Sequence, residues 1–200
     1  MKIKKVKTVK LCYEAERGGR CMSGLELRPL STEDGHMVYR LLQRIPAHEN
    51  GFYNEANGLS YKEYKKWLFR RIEIEKGINL KEGMVKESIY WFLLNEIPIG
   101  IGKLRHSLTP ALEQYGGNLS YSITPKQRNN GYGTILLGFL LQEARRLEIP
   151  GLLVTIYNYN YPSEKVILKN EGICFQKTDL RSYYRWNLQK AKSIDYNCSR

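Results

Sequence analysis

The sequence predicts a mixed α/β fold of the α+β type, built on a central mixed sheet that is largely antiparallel. Two observations support this prediction. The β-rich runs 88–94 and 97–104 are separated only by Asn95-Glu96, which indicates an antiparallel hairpin. Further along the chain, apolar strands alternate with amphipathic helices, an order typical of strand–helix–strand units.

The first half of the chain alternates strands with two predicted helices. Ser31-x-x-Asp34 resembles a capping box ahead of the first helix, which Pro46 ends. Ser60 is a candidate cap for the second helix. The predicted elements are strand 25–30, helix 37–45, loop 48–59, helix 61–76 and the hairpin strands 88–94 and 97–104.

The second half of the chain contains the strand–helix repeats. The run Leu152–Ile156 is continuously apolar, which predicts a buried strand with a parallel neighbour. Gly172 is the predicted C-cap of the last helix. The predicted elements are loop 105–117, strand 118–124, helix 133–147, strand 152–156, helix 163–170 and strands 173–177 and 182–188.

Composition limits the classes of protein. Two hundred residues with 42% hydrophobic content suit one globular domain, and the formal net charge of +12 attracts anions such as nucleic acid, acidic membrane or a polyphosphate cofactor. Only the first ten residues form a dense basic run. The longest apolar run, 135–141, is far shorter than the ~20 residues of a membrane span. The four cysteines and three histidines lack metal-ligand spacing, so we expect no metal, reduced thiols and a cytoplasmic protein.

The stretch 119–172 contains a candidate phosphate site. A strand stops at Pro125, a short polar turn follows, and Gly131-Tyr132-Gly133 opens an amphipathic helix. This order places free backbone N–H groups and the positive end of the helix dipole at one point. The glycines let the backbone approach a phosphate closely, and Arg128 can add a charged contact.

The spacing Gln127-Arg128-x-x-Gly131-x-Gly133 resembles the acyl-CoA loop of the GNAT family of N-acetyltransferases. A second block of that family resembles Asn160-x-x-Ser163 followed by 166–172. The stretch 104–125 is similar to a subgroup of predicted bacterial acetyltransferases. The resemblance implies a sheet of six to seven strands with helices on both faces. It implies one domain over 24–188, between a basic extension (1–23) and a polar tail (189–200).

The resemblance also implies a donor and a set of contacts. Acetyl-CoA would give its acetyl group to a primary amine of an unidentified small molecule or peptide, by direct transfer in a ternary complex. GNAT proteins are often dimers, so a homodimer is compatible with the resemblance. The implied CoA-binding residues are Ser122, Ile123, Thr124, Arg128, Asn129, Asn130, Gly131, Tyr132, Gly133, Thr134, Asn160 and Ser163.

The catalytic acid departs from the family pattern. Many GNAT enzymes carry a tyrosine seven residues after the asparagine, where this chain has Ile167. Tyr121 is a candidate substitute, and alternation along its strand places it on the opposite side from Ser120 and Ser122. Water or the acceptor itself could also protonate the thiolate. Other candidate tyrosines are Tyr157, Tyr159 and Tyr161.

The best single candidate for the base is His106, since an imidazole with a pKa of ~6.5 can take a proton from an ammonium near neutral pH. A carboxylate acting through water is the alternative, and the sequence does not rank the candidates Glu55, Glu96 and Glu113. Cys174 suggests a covalent nucleophile, but a thiol in this strand is expected to be buried.

Other functions stay open at this stage. The missing tyrosine at Ile167 also fits a CoA-binding module without turnover. Nucleic-acid binding, driven by net charge, is the weaker alternative. A dinucleotide-binding loop is disfavoured because Leu136 occupies the third glycine position, and no Gly-Lys-Ser/Thr follows to make a P-loop.

Overall fold

The computed structural model describes residues 24–188 together with the backbone of the short strand β1 (Val9–Lys10). The rest of the predicted N-terminal extension, and the predicted tail from 189, lie outside the described residues. The other strands are β2 (Leu25–Pro29), β3 (His48–Glu49), β4 (Phe52–Tyr53), β5 (Glu87–Leu94), β6 (Ile97–Arg105), β7 (Leu119–Ile123), β8 (Gly151–Tyr157), β9 (Ile173–Lys177) and β10 (Arg181–Asn187). The helices are α1 (His36–Arg44), α2 (Tyr61–Lys76), α3 (Pro110–Tyr115), α4 (Tyr132–Arg146) and α5 (Tyr161–Lys169), and a 3₁₀ turn spans Pro125–Gln127.

The strands form two main sheets. One has five antiparallel strands in the order β1-β2-β5-β6-β7, and the other has the order β8-β10-β9. The strands β3 and β4 pair as a separate hairpin. The mixed, largely antiparallel fold class is confirmed, although the strands of the described residues divide between two sheets instead of forming one of six to seven.

Helices cover both faces of the five-stranded sheet. On one face, apolar residues of α1 and α2 pack against Ile89, Trp91 and Ile101 of the sheet. On the other face, α4 packs against the sheet and also contacts residues of β8, β10 and α5. The larger core therefore joins the two sheets through α4.

The two predicted helix caps have different outcomes. Ser60 caps α2 as predicted, in a capping box with Glu63. The Ser31–Asp34 capping box is wrong, because Gly35 is the N-cap of α1 and no side chain caps that helix. The Asp34 carboxylate is instead buried, where it accepts the Trp91 indole N–H at 2.6 Å and the Ser31 backbone N–H at 2.8 Å.

Three other predicted elements differ in the structure. The predicted loop 105–117 contains α3, with Thr109 as its N-cap and Pro110 in its first turn. The predicted loop 48–59 contains the β3–β4 hairpin. The C-cap of α5 is Asn170 and not Gly172.

The predictions for β8 and Cys174 are also wrong. β8 pairs antiparallel with β10, and its side chains alternate between buried and more exposed positions. It therefore has the pattern of a strand covered on one face. All five residues of β9 are exposed, because β9 is an edge strand, so the Cys174 thiol is not buried.

Candidate functional site

The two sheets meet at a single point beside Asn118. The Asn118 backbone N–H donates to the Leu153 carbonyl at 2.7 Å, and the Leu153 N–H donates to Asn118 Oδ1 at 2.9 Å. On its other side, Asn118 bonds the backbone of Arg105, through its own carbonyl at 2.7 Å and through Nδ2 at 3.2 Å. Beyond this junction β7 pairs only with β6, so its other edge faces a gap between β7 and β8.

The loop after β7 turns sharply into α4. Asn129 and Gly131 both have positive φ angles, of 63° and 79°, and Gly131 is the N-cap of the helix. No side chain caps α4, and within 24–188 the N–H groups of Tyr132 and Gly133 have no acceptor. Successive free N–H groups at a helix N-terminus form a site suited to an anion.

A cavity of about 530 Å³, which we name the loop cavity, opens beside this helix N-terminus. Ten of the twelve predicted CoA-binding residues line it. The exceptions are Thr124, which is buried beside β6, and Asn130, which is exposed and bonds within its own turn. The ten are Ser122, Ile123, Arg128, Asn129, Gly131, Tyr132, Gly133, Thr134, Asn160 and Ser163.

The Arg128 side chain has a protein partner. Its Nη atoms lie 2.8 Å and 2.5 Å from the two carboxylate oxygens of Glu49, and its Nε donates to the Ile123 carbonyl at 3.0 Å. Two further cations, Lys165 and Lys169, line the loop cavity from α5. They stand four residues apart on one face of the helix, a spacing visible in the sequence but not singled out there.

Asn160 and Ser163 serve α5 as well as the cavity. Asn160 is the N-cap of α5, and its side-chain oxygen accepts the Ser163 N–H at 3.4 Å. Asn160 is 6% exposed. The amide group is thus fixed in place at the wall of the loop cavity.

A second cavity of about 290 Å³, which we name the cationic cavity, adjoins the first. Its charged lining consists of four cations and two carboxylates, an excess of two positive charges. These side chains come from α2, β5, β6, β10 and the segment after β4. They are Arg71, Lys103, Arg105, Arg181, Glu55 and Glu87.

Four of these groups form a balanced chain of ion pairs. Arg71 bonds both Glu55, at 3.1 Å, and Glu87, and Glu87 also pairs with Arg105 at 3.1 Å. Arg71 and Glu87 are each 6% exposed, so their charges are held mainly by each other. Burial favours the neutral acid, but Arg71, Lys103 and the Trp67 indole N–H together keep the pKa of Glu55 below its usual value.

The two remaining cations lack carboxylate partners among the described residues. Lys103 Nζ donates to the Tyr53 carbonyl at 2.7 Å and lies 5.2 Å from the centre of the Phe52 ring. Burial lowers the pKa of Lys103, and the carboxylates of Glu55 and Glu87 oppose that shift. The Arg181 guanidinium carbon lies 4.2 Å from the Tyr157 ring centre.

Tyr121 lies where the two cavities meet. It lines both of them, together with Asn50, Phe52, Asn160 and Ser163. Its hydroxyl is buried and has no hydrogen-bond partner among residues 24–188. Burial raises the pKa of Tyr121 to about 12, and the nearby Ser163 side chain partly offsets this shift. The phenol is therefore a protonated donor at neutral pH.

The structure does not bring His106 to this point. His106 lines neither cavity, and its Nε2 lies 2.9 Å from the Ser88 hydroxyl. Of the three candidate carboxylates, Glu55 lines the cationic cavity, whereas Glu96 lies in the β5–β6 turn and Glu113 on α3. Both hydrogen bonds of Glu55 go to Oε2, which leaves Oε1 for another group.

Sequence reasoning missed most of the cationic cavity. One signal was available: Lys103 follows the buried Ile101 by two positions in β6, so it stands on the same side of the strand as a core residue. Arg71, Glu87 and Arg181 carry no such local signal, because only the fold brings their elements together.

The described residues contain neither a membrane-spanning helix nor a cluster of metal-ligating side chains. None of its helices combines the length and apolarity that crossing a bilayer requires. It also has no group of three or more His, Cys, Asp or Glu side chains arranged to hold a metal ion.

Comparison with known proteins identifies the family. The sequence profile of the acetyltransferase (GNAT) domain matches residues 24–172, and this chain belongs to that family. A search of curated proteins finds no match.

Solved structures of GNAT acetyltransferases share the fold. The ribosomal-protein-S5-alanine acetyltransferase from Vibrio fischeri is 11% identical with a TM-score of 0.62, over 91% of this chain and 99% of that chain. The ribosomal L7/L12 alpha-N-protein acetyltransferase RimL, in complex with coenzyme A, is 16% identical with a TM-score of 0.59, over 82% and 94%. The N-acetyltransferase PseH of Campylobacter jejuni, in complex with acetyl coenzyme A, is 12% identical with a TM-score of 0.54, over 82% and 98%.

Proposed function

We propose that this protein is an N-acetyltransferase that moves the acetyl group of acetyl-CoA to a primary amine by direct transfer in a ternary complex. One observation carries the proposal. A cavity suited to a phosphorylated carrier meets a second, smaller cavity at the buried hydroxyl of Tyr121. A donor in the first cavity and an acceptor in the second would bring thioester and amine together there.

The loop cavity supports CoA binding through its backbone. The free N–H groups of Tyr132 and Gly133 supply donors for the diphosphate. The backbone groups of Tyr121 and Ile123 face away from β6, and this free edge of β7 can bond the pantetheine amides. Lys165 and Lys169 supply positive charge for the remaining phosphate. Arg128 contributes chiefly through its backbone while its side chain is paired with Glu49.

The chemistry needs two proton movements. The amine nitrogen attacks the thioester carbonyl, the C–S bond breaks, and the amine loses a proton while the departing thiolate gains one. The Tyr121 hydroxyl can supply the proton to sulfur, since the phenol stays protonated far above neutral pH. The Glu55 carboxylate can take the amine proton, directly or through water. His106 remains the alternative base, acting from outside the cavities.

The position of the Cys174 thiol favours direct transfer over a covalent intermediate. Cys174 is exposed on the edge strand β9 and lines neither the loop cavity nor the cationic cavity. It is the one free cysteine in the part of the chain that the structure describes. A covalent acetyl-cysteine intermediate has no support from this arrangement.

Titration and turnover test the proposal separately. Calorimetric titration with CoA is expected to give saturable binding with one site. A thiol-release assay with acetyl-CoA and a panel of primary amines is expected to give amine-dependent turnover. Absence of heat with CoA would overturn the proposal.

A CoA-binding module without turnover is the second candidate function. The side chain at the usual acid position, Ile167, is fully buried in the core at 0% exposure. An acid from that position is therefore absent, and catalysis depends on Tyr121, on water or on the acceptor itself. Tight CoA binding, combined with no thiol release for any amine, would favour this second candidate.

A further inference from the structure

The cationic cavity indicates the chemistry of the acceptor. Its volume of about 290 Å³ lies just below the ~300–1,000 Å³ typical of small-molecule sites. A primary amine with modest bulk, or the terminus of a longer molecule, fits this space. The charge of the walls then decides which amines enter.

Lys103 is a buried cation whose bonding is incomplete. It is 5% exposed, and its ammonium has three N–H donors, of which one is used by the Tyr53 carbonyl. The two nearby carboxylates are already bonded to arginines. Because an ammonium is costly to bury without a counter-ion, this position favours an anion in the cavity.

Arg181 supplies the second uncompensated charge from the opposite sheet. It begins β10, where it pairs in register with Tyr157 of β8, and its Nη1 lies 3.4 Å from the Thr155 hydroxyl. Lys103 belongs to β6 in the five-stranded sheet. The two cations therefore approach one cavity from both sides of the gap, an arrangement suited to a ligand that lies across it.

The phosphates of the donor do not account for this charge. Lys165 and Lys169 line only the loop cavity, and neither Lys103 nor Arg181 lines it. Positive walls also disfavour a protonated amine, which helps to hold the acceptor nitrogen in its neutral, nucleophilic form. Dicationic acceptors such as polyamines meet repulsion at the same walls.

We infer that the acceptor is a primary amine that also carries an anionic group, a carboxylate or a phosphate, bound by Lys103 and Arg181. This inference rests on the proposed acetyl transfer for the role of the amine. The anion contacts themselves follow from the charge of the cavity. Carboxylate and phosphate share this chemistry, so the test includes both.

Matched acceptor pairs test the inference. The pairs are phosphoethanolamine with ethanolamine and β-alanine with β-alaninamide, and 1,3-diaminopropane represents dications. Thiol release gives kcat/KM for each, and calorimetry measures the binding of each to protein with and without saturating CoA. At least one anionic member is expected to exceed its neutral counterpart by roughly 10-fold or more, the size of one charge-assisted contact.

Three variants test whether Lys103 and Arg181 cause the preference for anionic acceptors. Arg181→Gln and Lys103→Met are expected to reduce the preference for the anionic member to within about 3-fold, chiefly by lowering kcat/KM for the anionic member. The dissociation constant for CoA stays the same. Arg185→Gln is the matched control, because Arg185 lies on the same strand, is exposed and lines neither the loop cavity nor the cationic cavity.

Each other outcome is decisive. Equal or greater efficiency with the neutral amines or the diamine overturns the inference and leaves acetyl transfer standing. Loss of turnover with all amines in Lys103→Met would mean that Lys103 is a base and not an anion contact. If no amine is acetylated, anion-dependent binding by calorimetry still supports the inference, and its absence refutes it.

Discussion

Arg128 and Glu49 form a bidentate ion pair that connects the loop between β7 and α4 to the β3–β4 hairpin. The two residues are 79 positions apart, and their atoms lie 2.8 Å and 2.5 Å apart. Because this pair neutralises the Arg128 side chain, the backbone N–H groups and the α5 lysines remain for an anion. The hairpin also carries Phe52 into the wall between the two cavities.

Removing the Glu49 charge is expected to strengthen CoA binding. In Glu49→Gln, the loop cavity loses a negative charge and the Arg128 guanidinium becomes available to a phosphate. We expect the dissociation constant for CoA, measured by calorimetry, to fall about 3- to 10-fold at low salt and by less at high salt. Glu113→Gln, outside both cavities, is the control. Weaker binding in Glu49→Gln would show that the ion pair builds the site.

Replacing Gly131 is expected to weaken CoA binding. Gly131 has a φ of 79°, and a valine there would be strained by about 1–2 kcal/mol and would crowd the phosphate position. Gly58→Val is a matched control, since Gly58 has a φ of 84°, open space around it and no place in either cavity. Both variants should lose thermal stability, but only Gly131→Val should bind CoA at least ~10-fold more weakly. Equal CoA affinity in the two variants would count against the phosphate loop.

Removing the Tyr121 hydroxyl separates catalysis from stability. The hydroxyl is buried and unpaired, so Tyr121→Phe is expected to unfold at the same temperature as the native protein or higher. If the phenol protonates the leaving thiolate, kcat should fall by roughly 10²-fold or more. Affinity for CoA should be unchanged. Tyr159→Phe, on an exposed ring outside both cavities, should be neutral, and unchanged kcat in Tyr121→Phe would remove Tyr121 from the mechanism.

Glu55→Gln tests the proposed base. The pKa of Glu55 is held below its usual value, so the carboxylate is ionised throughout the neutral range. We expect kcat/KM for the amine to fall about 10- to 100-fold, with CoA affinity unchanged. Glu113→Gln should retain full activity. Full activity in Glu55→Gln would mean that His106 or water, and not Glu55, takes the proton from the amine.

The lowered pKa of His106 is expected to make the free energy of unfolding depend on pH. Burial lowers the pKa of its imidazole below the unfolded value of 6.5, Lys86 adds to the shift, and Glu75 and Glu87 oppose it. The unfolded chain therefore takes up this proton first as the pH falls. The contribution to stability is complete above pH 6.5 and is lost as the pH falls through the folded pKa. His106→Gln should lose less stability between pH 7 and pH 5 in urea titrations, and an equal loss would contradict this.

The glycine turn that opens α4 could be predicted because its information is local. Pro125, the positive φ of Gly131 and the apolar face of α4 all belong to neighbouring residues, and each restricts the backbone directly. The sequence therefore indicated the turn and most of the residues around one cavity. The start of α4 was displaced by only one residue, to Tyr132.

Predictions that depended on distant partners were wrong or incomplete. The position of Asp34 after Ser31 suggests a helix cap. Its carboxylate is instead buried, where it accepts a hydrogen bond from Trp91, 57 positions away. The apolar run of β8 suggested a parallel neighbour, whereas its partner is β10. For α3 a local signal exists, because Thr109 followed by Pro110 is a typical helix start.

By itself, the sequence determined a strand, a glycine turn and a helix in consecutive order, because backbone preferences act between adjacent residues. Only the tertiary structure decided the character of the second cavity. Arg71, Lys103 and Arg181 come from three separate elements, and no sequence spacing records how their charges add. The net charge of the cavity depends on which side chains are close in space. Packing of the two sheets beside Asn118 determines which side chains those are.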